Sequence, residues 1–183
     1  LQYDWENGTY EVFARGLRNP YDIVQDAAGN LYAGDNGADA PDANMLSIPP
    51  DELNWIREGM DYGYPDYFGI PPEGSGIEPP IVQIPASSAT TGLLVYDGEQ
   101  FPEEYDQAMF IAMWGNAVIT HPTGHRVGVV RRTAEGAYVQ ENLADFATGL
   151  QRPIDVAQTE TGSILVADFE VGFIYEIRYV GSE

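Results

Sequence analysis

Short apolar runs alternate along the chain with turns rich in glycine, proline, asparagine and aspartate. Such runs, rich in β-branched and aromatic residues and bounded by turn residues, predict β-strands. Helical spacing is confined to residues 102–107, which predict a single helical turn. The chain is therefore predicted to be all-β, with a hairpin in residues 1–14 followed by strands at residues 23–25, 31–34, 51–56, 93–96, 109–113, 127–132, 137–142, 154–158, 164–168 and 173–179.

An internal repeat organises these strands. Residues 13–35 return without a gap as residues 146–168, and nine of the twenty-three positions are identical. Each copy consists of a Gly-Leu-x-x-Pro turn, a strand, a glycine turn and a second strand. Residues 91–96 repeat the same turn-then-strand form. A long repeat built from short strands predicts a β-propeller.

Three units start near Asp22, Gly92 and Asp155. We expect about three blades and the outer hairpin of a fourth, so that the chain is a piece of a longer propeller with no signal peptide. The long loop at residues 62–85 is expected to bind something or to act as a lid. The predicted limits are 1–14 for the hairpin, 15–90, 91–146 and 147–179 for the blades, and 180–183 for a polar tail.

The charge of the chain limits the classes of partner that it can bind. Twenty-nine acidic residues face eight basic ones, all arginine, for a net charge of -21. This excess excludes nucleic acid and anionic membranes, which require basic surface. A solvated acidic surface, as in a saline habitat, and calcium binding are both open explanations. The absence of cysteine excludes disulfides and thiolate metal sites, and no apolar run is long enough for membrane insertion.

The acidic residues that recur in the repeat are predicted to be structural. Asp22 and Asp155 open equivalent strands, and Asp35 and Asp168 close the next ones. A catalytic group occurs once, whereas a turn cap recurs in every unit. The loop at residues 35–44 carries Asp35, Asn36, Asp39, Asp42 and Asn44 without the spacing of an EF-hand. It is either an irregular calcium site or a plain acidic loop.

Two further groups of residues indicate a binding site less specifically. His121 and His125 are four apart, but the proline and glycine between them forbid a zinc-binding helix and predict a surface loop. Five aromatic residues could form a platform for a sugar or pack the blades together, and both readings stay open: Tyr62, Tyr64, Tyr67, Phe68 and Trp114.

A set of motifs, taken in order, resembles a known family. The motifs are Gly16-Leu17-Arg18-Asn19-Pro20, Asp35-Asn36-Gly37, Asp51-Glu52-Leu53-Asn54, Tyr62-Gly63-Tyr64-Pro65, Thr91-Gly92-Leu93, Trp114-Gly115-Asn116 and Arg152-Pro153-Ile154-Asp155-Val156. Together they look like the C-terminal half of the soluble quinoprotein glucose/sorbosone dehydrogenases. Those enzymes are six-bladed propellers that use pyrroloquinoline quinone (PQQ) and calcium to oxidise aldose sugars.

The resemblance implies roles for individual residues. Arg18 and Asn19 match an Arg-Asn pair that lines the quinone and substrate pocket, and Arg152 matches a basic residue that contacts the cofactor. The carbonyls of Gly37 and Ala38 match calcium ligands. The neighbouring motifs imply four further positions: Trp114 and Asn116 at the cofactor, and Asp35 with Asn36 at the metal.

The chain also departs from the family pattern. The family's catalytic histidine belongs to the N-terminal half, so no catalytic residue is assigned here and the chain alone is expected to be inactive. The family's cofactor lysine is replaced around residues 114–116, and Ile154 stands where a second arginine is usual.

Two functions follow as hypotheses. The first is the C-terminal portion of a PQQ- and calcium-dependent sugar dehydrogenase in the periplasm or outside the cell. The second is a non-catalytic propeller module for binding or assembly in an extracellular or cell-surface complex. An incomplete propeller leaves open strand edges, so the expected partner is the missing N-terminal half or a second copy of the chain.

Overall fold

A computed structural model describes residues 2–38, 48–116 and 123–181. Within them the chain is all-β, with one turn of 3-10 helix, η1 (Glu103–Tyr105). A hairpin of β1 (Gln2–Asp4) and β2 (Thr9–Glu11) comes first. The first sheet contains β3 (Pro20–Gln25), β4 (Leu31–Asp35), β5 (Asp51–Ile56) and β6 (Val82–Ile84). The second contains β7 (Thr90–Val95), β8 (Met109–Met113), β9 (Arg126–Arg132) and β10 (Tyr138–Thr148), and the third contains β11 (Pro153–Gln158), β12 (Ile164–Asp168) and β13 (Phe173–Ile177).

Each of the three sheets is an antiparallel meander in which every strand pairs with the next one along the chain. Meanders of this kind are the blades of propellers. The predicted all-β class is confirmed, and three open sheets in sequence fit a partial propeller. The blade limits predicted from the sequence stay predictions.

One prediction about the first sheet was wrong. Residues 62–85 were expected to lack regular structure, but they end in β6, which pairs with β5 through Asp51–Ile84 and Leu53–Val82. A three-residue strand between prolines carries too little periodicity to be recognised locally. Its pairing with β5 is what makes it a strand.

The three sheets are held together by two apolar layers. The first layer joins the first and second sheets through Tyr32, Leu53, Val82, Ile84, Leu93, Met109, Ile111, Met113, Val130 and Tyr138. The second joins the second and third sheets through Tyr96, Ala108, Phe110, Ala112, Val127, Val129, Val156, Ile164 and Val166. Because the second sheet is covered on both faces, all five residues of β8 are buried.

The first strand of every sheet begins with an irregularity in the pairing register. The shift lies between Pro20 and Asp22 in β3, and at the matching places in β7 and β11. A β-bulge bends the strand and re-aims its side chains. In the first sheet the Asp22 carboxylate accepts the backbone N–H of Leu93 in the second sheet at 2.8 Å. The repeated aspartate therefore links one sheet to the next.

The third sheet has three strands, whereas the other two have four. Its last strand, β13, exposes Phe173 and Ile174 by 58% and 72%. An unpaired edge with exposed apolar side chains is a surface that a further strand can cover. Among the described residues, no helix is long and apolar enough to cross a membrane.

Candidate functional site

The residues predicted to bind the cofactor or the metal lie at one end of the three sheets. At this end, which we call the rim, the first strand of each sheet begins and the second strand ends. Arg18 and Asn19 precede β3, and Arg152 precedes β11. The last residue of β4 and the loops after β4 and β8 supply the others: Asp35, Asn36, Gly37, Ala38, Trp114 and Asn116.

Two buried carboxylates hold the rim in equivalent places. Asp35 accepts the backbone N–H groups of Arg18 at 3.0 Å and Asn19 at 2.6 Å. Asp168 accepts those of residues 151–152 at 2.7 and 2.9 Å. Burial raises the pKa of Asp35, and its two backbone donors oppose that rise. These hydrogen bonds are what a repeated turn cap makes, and the role of Asp35 at a metal stays a prediction.

The Arg18 guanidinium lies on the loop that was predicted to hold calcium. Its Nη1 donates to the carbonyls of Asn36 at 3.0 Å and Gly37 at 2.8 Å. The Asn36 side chain is itself bonded to Thr90 through both its oxygen and its nitrogen. Two convergent carbonyls suit a hard cation, but here a guanidinium nitrogen takes that place.

Calcium does not fit this arrangement while Arg18 holds the two carbonyls, because the two cations would repel one another. Asp35 already accepts two N–H groups, and among the described residues no three acidic or histidine side chains are placed so that they could hold a metal ion together. Ala38 lies half-buried in the same loop. The remaining residues of the predicted acidic loop, Asp39, Asp42 and Asn44, lie outside the described part of the chain, and the calcium assignment stays a prediction.

Arg152 makes a similar set of contacts with the second sheet. Its Nη1 donates to the carbonyls of Gly115, Asn116 and Trp114 at 3.0, 3.2 and 3.4 Å. Its Nε donates to Glu170 at 3.2 Å, and its guanidinium lies 5.6 Å from the centre of the Trp114 ring. Arg152 thereby fastens the loop after β8 to the start of β11.

His125 joins the same loop by a second route. Its Nδ1 lies 2.6 Å from the Gln151 carbonyl, and its Nε2 lies 3.0 Å from the Asn116 carbonyl. A neutral imidazole carries one N–H and can donate to only one of them, whereas an imidazolium donates to both. His121, the other histidine of the predicted surface loop, lies outside the described residues.

Among the described residues, the cavity beside Arg18 is not lined by Arg152. The small cavity beside Arg18 has a volume of about 10 Å³ and is lined by Gly16, Arg18, Asp35, Asn36, Gly37, Glu52, Tyr62, Tyr64, Tyr67 and Phe68. This is room for about one water molecule. Trp114, Asn116 and Arg152 lie elsewhere on the rim, so the structure gathers the predicted residues into two groups.

The aromatic residues near the rim divide between two environments. Tyr62 is 6% exposed, and its hydroxyl donates to the Trp55 carbonyl at 2.5 Å. Trp114 packs against Phe169 with ring centres 4.9 Å apart. Tyr64 is 42% exposed. Tyr62 and Trp114 thus pack the structure, while the exposed ring can contact a ligand.

Glu52 is a rim residue that the sequence analysis placed in a family motif but to which it assigned no role. It is 8% exposed, and its Oε1 accepts the Gly69 N–H at 2.6 Å. Burial raises its pKa; the bonds from Gly69 and Asn54 oppose the rise, and the charges of Asp35 and Asp51 add to it. The signal available was a pair of acidic residues opening an apolar strand.

A sequence profile of the Glucose / Sorbosone dehydrogenase family matches residues 2–168. The chain belongs to the glucose/sorbosone dehydrogenase family. This membership confirms the resemblance drawn from the ordered motifs.

Individual relatives agree with this family. An uncharacterized protein of Borreliella burgdorferi is 30% identical over 188 residues, which cover 92% of this chain and 49% of the relative. The PQQ-bound form of the aldose sugar dehydrogenase from Streptomyces coelicolor superposes with a TM-score of 0.63 at 23% identity, over 86% of this chain and 39% of that one. The calcium structure of the Trichoderma reesei carbohydrate-active enzyme of family AA12 superposes with a TM-score of 0.72 at 15% identity, over 94% and 54%.

These coverages place the chain within a larger architecture. At such identities the two solved structures support the fold alone. The chain spans about half the length of the relatives it matches. The chain is thus a partial propeller of the glucose/sorbosone dehydrogenase family.

Proposed function

We propose that this chain forms the later part of a PQQ-dependent sugar dehydrogenase and works with the segment that supplies the other blades. The observation that carries the proposal is the pair of arginines, Arg18 and Arg152, on one rim. Family membership supports it, and so does the solved relative from Streptomyces coelicolor that is described as PQQ-bound.

The donors that remain on these arginines fit an anionic cofactor. Arg18 is exposed, and within the described residues only its Nη1 and backbone N–H donate hydrogen bonds. Its Nε and Nη2 can therefore bind a carboxylate as a planar fork. The bonds of Nη1 to Asn36 and Gly37 hold the side chain in place for that contact. Asn19, exposed beside it, is available to orient a substrate hydroxyl.

The bound quinone would supply the hydride acceptor for oxidation of the sugar. This chain would bind and orient the cofactor and the sugar, while the proton acceptor would come from the rest of the protein. Calcium joins this proposal only if Arg18 turns away from the Gly37 carbonyl. The chain alone is then expected to show no turnover. Its partner would be the N-terminal part or a second copy, in the periplasm or outside the cell.

A non-catalytic binding or assembly module is the second candidate. It is favoured by one specific observation: Arg18 and Arg152 already have backbone carbonyls as partners. Arginines used to fasten loops require no cofactor.

The complete protein, supplied with PQQ, calcium and a panel of aldoses, would separate the two candidates in a dye-reduction assay. For the enzyme we expect turnover that Arg18→Ala abolishes and that Arg178→Ala, a change at an exposed arginine, leaves unchanged. An absorbance titration that detects no PQQ binding to the folded protein at micromolar concentration would support the binding module.

A further inference from the structure

His125 lies between two backbone carbonyls that belong to different parts of the rim. Its Nδ1 lies 2.6 Å from the Gln151 carbonyl in the segment before β11, and its Nε2 lies 3.0 Å from the Asn116 carbonyl in the loop after β8. A carbonyl oxygen can only accept a hydrogen bond, so both contacts are hydrogen bonds only when each ring nitrogen carries a proton. The geometry therefore suits the imidazolium form of this side chain.

The surroundings of the ring fix it in this position. His125 has a φ of +56°, in the left-handed region that few residues other than glycine adopt. A Cβ on Gly115 would lie 2.5 Å from Cδ2 of the imidazole, so the loop after β8 passes directly against the ring. A strained backbone of this kind persists only where the contacts around it determine the conformation. The two carbonyl contacts are thus a constrained feature of the fold.

The charged groups bonded to the elements around the ring carry a net negative charge. Arg126 on β9 is paired with Asp145 on β10 at 2.8 Å, and Arg152 is paired with a carboxylate at 3.2 Å. Two further carboxylates accept backbone N–H groups of the adjoining segments at 2.7 Å each. Within the described ranges these charged groups are Asp51, Arg126, Asp145, Arg152, Asp168 and Glu170. Because four carboxylates stand against two arginines, their summed charge does not oppose a positive imidazolium.

We propose that His125 is a proton-dependent clamp that positions the rim loop carrying Trp114 and Asn116. With both ring nitrogens protonated, it fastens this loop to the segment before β11. When one proton is lost, Nδ1 keeps its proton because it has the shorter contact, and the lone pair of Nε2 then faces the Asn116 oxygen. Arg152 still donates to that oxygen at 3.2 Å, so the loop is loosened but stays attached. The inference does not depend on PQQ binding or on the proposed dehydrogenase activity.

The clamp is expected to act in the ordinary titration range of histidine, at about pH 6.5. The folded state offers the imidazolium two acceptors that the unfolded chain lacks. Its contribution to stability is therefore full below this range and falls as the pH rises through it. The loop is held more firmly under mildly acidic than under alkaline conditions.

Urea unfolding of the 183-residue chain and of its His125→Gln variant, at about pH 5.5 and about pH 8, would test the clamp. We expect the ratio of the wild-type to the variant folding equilibrium constant to be about tenfold larger at the lower pH, the value of one hydrogen bond. The sequence contains two histidines, so His121→Gln is the matched control and should keep the pH dependence of the wild type. A ratio that does not change with pH would overturn the inference, and so would a pH dependence that disappears in His121→Gln instead.

Nitrogen-15 NMR of the His125 ring in the wild-type chain decides the question if His125→Gln does not fold. We expect protons on both ring nitrogens at about pH 5.5 and on Nδ1 alone at about pH 8. A proton on Nε2 at the higher pH would overturn the inference, because the Asn116 side of the clamp would then stay closed. These measurements use no PQQ, so the proposed function is tested separately.

Discussion

The buried Asp168 provides a direct test of how the rim is held. Its carboxylate is 2% exposed and accepts backbone N–H groups at 2.7 and 2.9 Å. In Asp168→Asn one acceptor oxygen remains, while the new amide faces an N–H donor. A bond to a charged acceptor contributes about 1.5–3 kcal/mol, and a neutral one about 0.5–1.5 kcal/mol. We therefore expect a net loss of about 2–3 kcal/mol, after the smaller desolvation cost of the neutral side chain is counted.

Urea denaturation followed by circular dichroism measures this loss. For a chain of this size it corresponds to a fall in Tm of about 4–12 °C. Asp35→Asn should cost less, because burial raises the pKa of Asp35 and the folded state already opposes its charge. Asp66→Asn, at an exposed carboxylate, serves as the control. If Asp168→Asn stays within about 0.5 kcal/mol of the wild type, as ordinary surface changes do, the carboxylate does not fasten the rim.

Three further predictions concern the sheet interface, pH and calcium. Gly92→Ala places a Cβ 2.6 Å from the Asp155 Cα, whereas Gly128→Ala meets only the end of a flexible methionine at 2.7 Å. Equilibrium unfolding should therefore show a larger loss for the first variant, by about 1–3 kcal/mol, and equal losses would contradict the close packing of the sheets. Burial raises the folded pKa of Glu52 above its ordinary 4.5, so its contribution to stability falls as pH rises from about that value through the folded pKa. In a pH series of unfolding curves, Glu52→Gln should remove this decline in the free energy of unfolding. If the decline keeps the same slope in the variant, another group causes it. Arg18→Ala frees two carbonyls and should strengthen calcium binding measured by calorimetry; unchanged or weaker binding would show that Arg18 does not compete with the ion.

The sequence by itself determined the class of fold and the repeated parts of the rim. Strand periodicity and turn residues are local patterns, so β5 (Asp51–Ile56), β8 (Met109–Met113) and β12 (Ile164–Asp168) were predicted with their observed bounds. The structural role of Asp35 and Asp168 was also predictable, because a repeated unit repeats its hydrogen bonds.

Tertiary structure alone decided which partners the charged groups take. The contacts of Arg152 with residues 114–116 and the pairing of Arg132 with Asp26 join residues separated by 36 to 38 and by 106 positions. No local pattern encodes such distances. Packing of the sheets brings these groups together. Because a buried donor without an acceptor is unfavourable, the guanidinium groups bond to the acceptors that lie beside them. For that reason the sequence could predict Arg18 and Arg152 as site residues. Their hydrogen bonds to backbone carbonyls, and the contacts of Arg132, arise only when the sheets pack.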